Sequence, residues 1–167
     1  SVRPMARITD PLAEMGADIT FRIGGLLPVT IAGAANPVAL SHRSKVASAQ
    51  IKSAILLAGL NARGTTNIIE PHSSRDHSES LLLHFGASVQ QHIGTHGAHH
   101  VALAGEAKLR AADVFVPSDP SSAAFAIVAA LITPQSDITL FGVGMNPLRT
   151  GLLTTLIEMG GDIVKSN

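Results

Sequence analysis

The chain has 167 residues, 46% of them apolar, with 12 basic and 12 acidic side chains that cancel to a formal charge of zero. This is enough to build the core of one ordinary domain, or pieces of two, and it excludes a disordered chain. The basic residues are scattered rather than striped, which excludes a nucleic-acid footprint, and the lack of cysteine excludes disulfides, thiolate metal sites and a Cys nucleophile within these residues.

In chain order, the first predicted element is a helix at about Thr9–Met15, followed at once by a short β-prone segment through Ile19. Strands at Leu27–Ala32 and Val38–Arg43 lead to a helix over Ser48–Leu60, whose body is the apolar run Ala54 to Leu60. A helix start presents unpaired N–H groups and the positive end of the dipole, so Ser48 either caps this helix or helps hold an anion such as phosphate. A strand at Thr66–Glu70, a helix at Asp76–Phe85 and strands at Ser88–His92 and His99–Ala104 come next, the last two joined by a tip at Ile93–Ala98. His92, His96, His99 and His100 surround this tip, where a solvated loop accounts for them better than a zinc site does. Strands at Val114–Val116 and Ile138–Phe141 and helices at Ser122–Ile132 and Gly151–Met159 complete the series. The longest apolar run, Ala123 to Ile132, is ten residues, about half of what a bilayer crossing needs. With no signal peptide at the amino terminus, the expectation is a soluble cytoplasmic protein with no membrane partner.

Self-comparison reveals a repeat. Residues 75–89 align without a gap on residues 149–163 at an offset of 74, and Ser48-Ala49 fall on Ser122-Ala123 at the same offset. Three helices end alike, at Met15-Gly16, Phe85-Gly86 and Met159-Gly160, where an apolar residue closes the helix and Gly takes the left-handed position beyond it. Between residues 38 and 104 the order is βαβαββ, and it begins again after Val114. Such a unit is neither a Rossmann half nor a solenoid repeat, so the fold class is α+β, built from repeated βαβαββ units and incomplete here. The chain enters just before a helix and stops in what should be a strand, which reads as an internal piece of a longer chain.

Several segments then carry a family resemblance. Arg3-Pro4-Met5, Leu27-Pro28-Val29-Thr30-Ile31, Ala47-Ser48-Ala49-Gln50-Ile51-Lys52-Ser53-Ala54, Leu57-Ala58-Gly59-Leu60-Asn61, Ile69-Glu70-Pro71, Arg75-Asp76-His77, Asp119-Pro120-Ser121-Ser122-Ala123-Ala124-Phe125, and Asn146-Pro147 with Arg149-Thr150-Gly151-Leu152 together resemble the 5-enolpyruvylshikimate-3-phosphate synthases. The triplet Ser48-Ala49-Gln50 is similar to that of the bacterial class associated with glyphosate tolerance. The resemblance implies transfer of the enolpyruvyl group of phosphoenolpyruvate to the 5-hydroxyl of shikimate 3-phosphate, in the shikimate pathway to aromatic amino acids, with no cofactor and no metal. It implies two inside-out α/β barrel lobes of three βαβαββ units each, with the substrates in the cleft. Residues 1–116 are expected in one lobe, as the end of one unit plus a full unit, and residues 117–167 begin a unit of the other.

The same resemblance assigns roles. Ser48, the backbone of Ala49, and Gln50 are implied contacts of shikimate 3-phosphate, with Gln50, a donor and an acceptor at once, also reaching phosphoenolpyruvate. Arg3 is implied to grip phosphoenolpyruvate through its guanidinium fork. Arg75 stands at a helix start, where the dipole disfavours a cation, and is implied to lie against shikimate 3-phosphate. Its repeat mate Arg149 matches no substrate contact of the family, so a helix-start Arg is partly architectural. Lys52 lies on a different side of its helix from Gln50 and reads as structural or solvated. Asp119 reads as the cap of the Ser121-Ser122 helix start. His77 and Glu79 have no firm role.

Ser118, Lys45 and Leu148 depart from residues usual in the family, though none is an expected substrate contact. The family's catalytic acid–base residues have no counterpart in these 167 residues, so no catalytic residue is assigned and the isolated chain is expected to be inactive. Two other readings remain open at this point: part of an enolpyruvyl transferase acting on UDP-N-acetylglucosamine, and a non-catalytic packing module of the same fold. Sheet edges and helix faces without neighbouring units are expected to favour self-association.

Overall fold

The computed structural model describes residues 5–166, which divide into two compact units at the Ala112/Asp113 boundary. In the first, helix α1 (Ala6–Glu14) starts earlier than the pattern predicts and ends at Gly16, whose φ of +102° is the left-handed geometry expected there. It leads into an antiparallel hairpin, β1 (Asp18–Arg22) and β2 (Leu26–Ala32), in register Asp18↔Ala32 through Phe21↔Val29. Strand β1 is fuller than the short β-prone segment read from the sequence.

The complete βαβαββ unit follows: β3 (Ser41–Arg43), α2 (Ala49–Gly59), β4 (Thr65–Glu70), α3 (His77–His84), β5 (Val89–Ile93) and β6 (His99–Ala104). The sheet order is β3-β4-β6-β5, with β3 parallel to β4 and the other pairs antiparallel. Strand β3 is half the predicted length because Val38 makes only a single bridge, to Arg63, while its N–H donates to the Met15 carbonyl. Alternation decides what each strand buries. On β4 the inward phase is Thr66, Ile68 and Glu70, and on β6 it is His99, Val101 and Leu103. On α2 the buried residues are Ile51, Lys52, Ile55, Leu56 and Gly59, one helical face. Of these, Ile51, Ile55, Leu56, Ile68, Val101 and Leu103, with Met15, Ala62, Leu82 of α3 and Ala87, make the core.

Helix α2 can approach β4 closely because its last residue has no side chain. A Cβ on Gly59 would stand 2.7 Å from Thr66 Oγ1 and 3.0 Å from Thr66 Cβ, and a β-branched residue on a strand has little room to yield.

The second unit contains α4 (Pro120–Ile132) and α5 (Gly151–Glu158). Neither Val114–Val116 nor Ile138–Phe141 forms a strand; only Ser118 and Val143 make a bridge in this region. A β-prone segment becomes a strand only when a neighbour takes up its N–H and C=O groups, and these two have none within the unit. Leu153 is the one buried residue among those described in this unit, and Phe125 on α4 is 83% exposed. No helix of the described residues is long and apolar enough to cross a membrane.

Replacing a helical Gly by Ala ordinarily stabilises by up to about 1 kcal/mol. At Gly59 the opposite sign is expected, and Gly59→Ala combined with Thr66→Ala should recover stability that the single change loses. Urea unfolding of both single variants and the double closes this cycle; additive losses would refute the contact.

Candidate functional site

The site begins at the first turn of α2. Ser48 occupies the N-cap position with extended backbone (φ −150°, ψ 108°), and its carbonyl accepts from the Lys52 N–H at 3.0 Å, yet its hydroxyl makes no capping hydrogen bond. Instead the Ser48 N–H donates to Glu70 Oε1 at 2.8 Å. The N–H groups of Ala49, Gln50 and Ile51 are ones a helix cannot pair internally, so a hydroxyl that makes no capping bond stands beside the positive end of the helix. Of the two roles the sequence leaves open for Ser48, the side-chain cap is not the one formed.

The later copy is built differently. Helix α4 starts at Pro120, so Ser122, the repeat mate of Ser48, is its third residue, and the cap is Asp119, whose Oδ2 accepts from the Ser122 N–H at 3.2 Å. Arg149 Nη2 donates to Asp119 Oδ1 at 3.1 Å and to Ser121 Oγ at 2.6 Å. Hydrogen bonding from the Ser121 backbone, with that from Ser122 and the charge of Arg149, holds the Asp119 carboxyl below its ordinary range. At the repeat offset, Asp119 becomes Lys45 and Ser121 becomes Ala47, so Arg75 lacks the two partners that occupy Arg149.

Beneath the Ser48 turn lies a buried charge cluster. Lys52 Nζ, 1% exposed, sits 3.0 Å from Glu70 Oε2 and 2.7 Å from Glu79 Oε1. It also donates to the Ser74 carbonyl at 3.4 Å, and Ser74 Oγ donates to Glu70 at 2.8 to 2.9 Å. His99 Nδ1 is 3.8 Å from Glu70 Oε2. Burial raises the Glu70 carboxyl, but the bonds from Lys52, Ser74 and the Ser48 backbone, with the Lys52 charge, outweigh it and leave the group below its ordinary value. A second tie joins the two helices: Ser53 Oγ donates to the Ala49 carbonyl and is 2.5 Å from Ser78 Oγ on α3.

The structure therefore brings Ser48 and the Ser74-Arg75 turn onto one carboxylate. Ala49 is the first residue of α2 and half-buried, Gln50 is exposed on the same turn, and Arg75 is exposed just before α3. No hydrogen bond ties Gln50 or Arg75 to the cluster among the described residues; Arg3 lies outside them. Of the histidines, His99 is buried on β6 rather than solvated, while His92 and His100 stack at 4.6 Å on the other face of the sheet. They line an open cavity of about 400 Å³ with Arg43 and Asn67. No group of three or more potential metal ligands forms among the described residues.

The family model for EPSP synthase (3-phosphoshikimate 1-carboxyvinyltransferase) matches residues 1–167. The chain belongs to the EPSP synthase family. It is 58% identical over 166 residues to the 3-phosphoshikimate 1-carboxyvinyltransferase of Granulibacter bethesdensis, and 59% identical over 162 residues to that of Acidiphilium cryptum, covering 99% and 96% of this chain. It spans about 37% and 36% of the length of those relatives. The solved EPSP synthase of Acinetobacter baumannii superposes with a TM-score of 0.84 at 43% identity, over 100% of this chain and 37% of that one. The enolpyruvyl transferase NikO of Streptomyces tendae, 18% identical over 78% of this chain and 32% of its own, with a TM-score of 0.62, shares the fold. The α+β reading with βαβαββ units is thus that of the enolpyruvyl transferases.

For this EPSP synthase family chain, the residues that sequence reasoning passed over are Glu70 and Ser74, and it left Lys52 undecided. A signal was present for two of them: Glu70 falls on the inward phase of β4, and Lys52 shares a helix face with Ile55, Leu56 and Gly59. Nothing local marks Ser74.

Removing the cation by Lys52→Met would strand two buried carboxylates, and a loss of about 3–5 kcal/mol is expected by chemical denaturation. Because Glu70 is lowered in the folded state, its contribution is complete above the unfolded value near 4.5 and is lost as pH falls through the lower folded value. The stability gap between wild type and Glu70→Gln should therefore narrow as the solution is acidified below 4.5; a constant gap would contradict the assignment.

Proposed function

We propose that this chain supplies the shikimate 3-phosphate corner of a 3-phosphoshikimate 1-carboxyvinyltransferase. The observation that carries the reading is the Ser48 hydroxyl at the start of α2, which makes no capping bond and stands beside N–H groups that have no partner within the helix. A phosphoryl group fits that setting, since it accepts from N–H and O–H donors and carries the charge that the helix start favours. Gln50, on the same turn, would reach the hydroxyls of shikimate 3-phosphate and the enolpyruvyl group of phosphoenolpyruvate. Arg75, exposed and without the Asp and Ser that hold its repeat mate, would supply a guanidinium to the first substrate. Arg3 would meet phosphoenolpyruvate.

The enolpyruvyl carbon becomes bonded to the 5-hydroxyl oxygen of shikimate 3-phosphate, and phosphate leaves. What these residues contribute is binding and orientation. Proton transfer to the methylene and from the hydroxyl belongs to groups that this chain does not contain. We place residues up to about 116 in one lobe and those from 117 in the other, a division supported by the compact-unit boundary at Ala112/Asp113. The soluble, cofactor-free character of the reaction suits the cytoplasm.

Titrating shikimate 3-phosphate into the chain should shift the Ser48 and Gln50 amide resonances, and no shift at millimolar ligand would favour a mere scaffold. Ser48→Ala should weaken binding roughly tenfold while changing stability by less than about 0.5 kcal/mol, because no cap is lost. The two arginines should part company: Arg75→Gln costs affinity, whereas Arg149→Gln leaves affinity intact and loosens the start of α4. The chain alone should release no phosphate from the two substrates, and measurable turnover would overturn that expectation.

A further inference from the structure

We propose that Glu70 is the positioning residue of this corner, the group that sets Ser48 and the Ser74-Arg75 turn against each other. The inference rests on the substrate reading above and extends it to a residue that touches no substrate. Glu70 closes β4 on its inward phase, immediately before Pro71, with no exposed surface. Its Oε1 takes the Ser48 N–H at 2.8 Å, and both its oxygens lie within 2.9 Å of Ser74 Oγ. One carboxylate thus holds the N-cap of α2 and the residue beside Arg75, which are 26 positions apart in sequence.

Only an ionised carboxylate can do this. Both its oxygens accept and neither donates, so it satisfies the Ser48 N–H, the Ser74 hydroxyl and the Lys52 ammonium together. A glutamine in its place has one accepting oxygen and one NH₂. With the oxygen toward Ser48, its NH₂ would face Lys52 Nζ, and with the oxygen toward Lys52, its NH₂ would face the Ser48 N–H. Either arrangement sets donor against donor and releases one of the two elements. The Ser48 N–H is held by Glu70, its backbone is extended, and its hydroxyl makes no capping hydrogen bond.

Lys52 makes the arrangement tolerable and itself donates to the Ser74 carbonyl. It neutralises one of two carboxylates, and Glu79 contacts Lys52 but neither Ser48 nor Ser74. That asymmetry supplies a control. Glu70→Gln leaves Lys52 and Glu79 as a balanced pair, so the chain should still fold, and Glu79→Gln leaves Lys52 and Glu70 as one.

The test compares these two variants in the 167-residue chain, reading Ser48 amide hydrogen exchange, shikimate 3-phosphate affinity and the urea midpoint. In Glu70→Gln, Ser48 exchange should rise and affinity should fall, each by roughly tenfold, as expected for loss of a charge-assisted bond. Glu79→Gln should alter neither, even where its midpoint drops as far. Wild-type exchange and affinity in Glu70→Gln would overturn the proposal, as would equal losses of affinity in both variants. If wild type itself does not bind shikimate 3-phosphate, the substrate reading fails separately, and unchanged Ser48 exchange in Glu70→Gln then decides against positioning. Should Glu70→Gln not fold, Ser74→Ala removes one arm alone, and unaltered affinity there would also refute it.

Discussion

The first unit depends on one ammonium group enclosed by two carboxylates. Lys52 projects from the same face of α2 as Ile55 and Leu56, and among the described residues its charge is balanced by Glu70 at the end of β4 and Glu79 in the first turn of α3. Withdrawing these charges from water costs several kcal/mol per ion, offset only where the geometry is good and the remaining acceptors are filled. Ser48 and Ser74 fill those of Glu70. The cluster adds little net stability beyond what apolar residues of the same size would give. Its consequence is registry: α2, β4 and α3 can meet in one arrangement, and the two loops that emerge there are held to it.

The repeat shows how one architecture serves two purposes. Both copies start a helix with small polar residues, and both place an Arg 27 positions after the Ser. In the later copy Asp119 caps α4 and draws Arg149 inward, closing the corner on itself. In the earlier copy Lys45 replaces that Asp, Ala47 replaces Ser121, and the capping duty leaves the Ser48 hydroxyl altogether. The polar groups used for architecture in one unit are free in the other. A phosphorylated substrate is suited to groups left in this state.

The second unit has a different balance. Its helices are strongly apolar, yet α4 has no buried residue, and Phe125 and Ile132 stand exposed. A helix apolar all round belongs in the interior of a larger assembly. The relatives are nearly three times as long, and this chain spans about 37% of the Granulibacter bethesdensis one. Apolar faces of this size associate when nothing covers them, which is the physical basis for expecting self-association of the chain by itself.

The sequence by itself determined the helices and the order of the βαβαββ unit. Period 3.6 on Ile51, Ile55 and Leu56, period 2 on β4 and β6, and the Gly endings at 16, 86 and 160 are local signals, set by geometry within a few residues of each position. The family motifs likewise singled out Ser48, Gln50 and Arg75 as expected site residues. Only the tertiary structure decided what depends on partners distant in sequence. Val114–Val116 and Ile138–Phe141 have the composition of strands but no neighbour to pair with. Ser48 has the composition of a cap, but its N–H goes to the Glu70 carboxylate, 22 residues away, and its hydroxyl makes no capping bond. Lys52 reads as structural or solvated, and only β4 and α3, which enclose it, decide between the two. A hydrogen bond or an ion pair between elements is a property of their meeting, and no residue carries it alone.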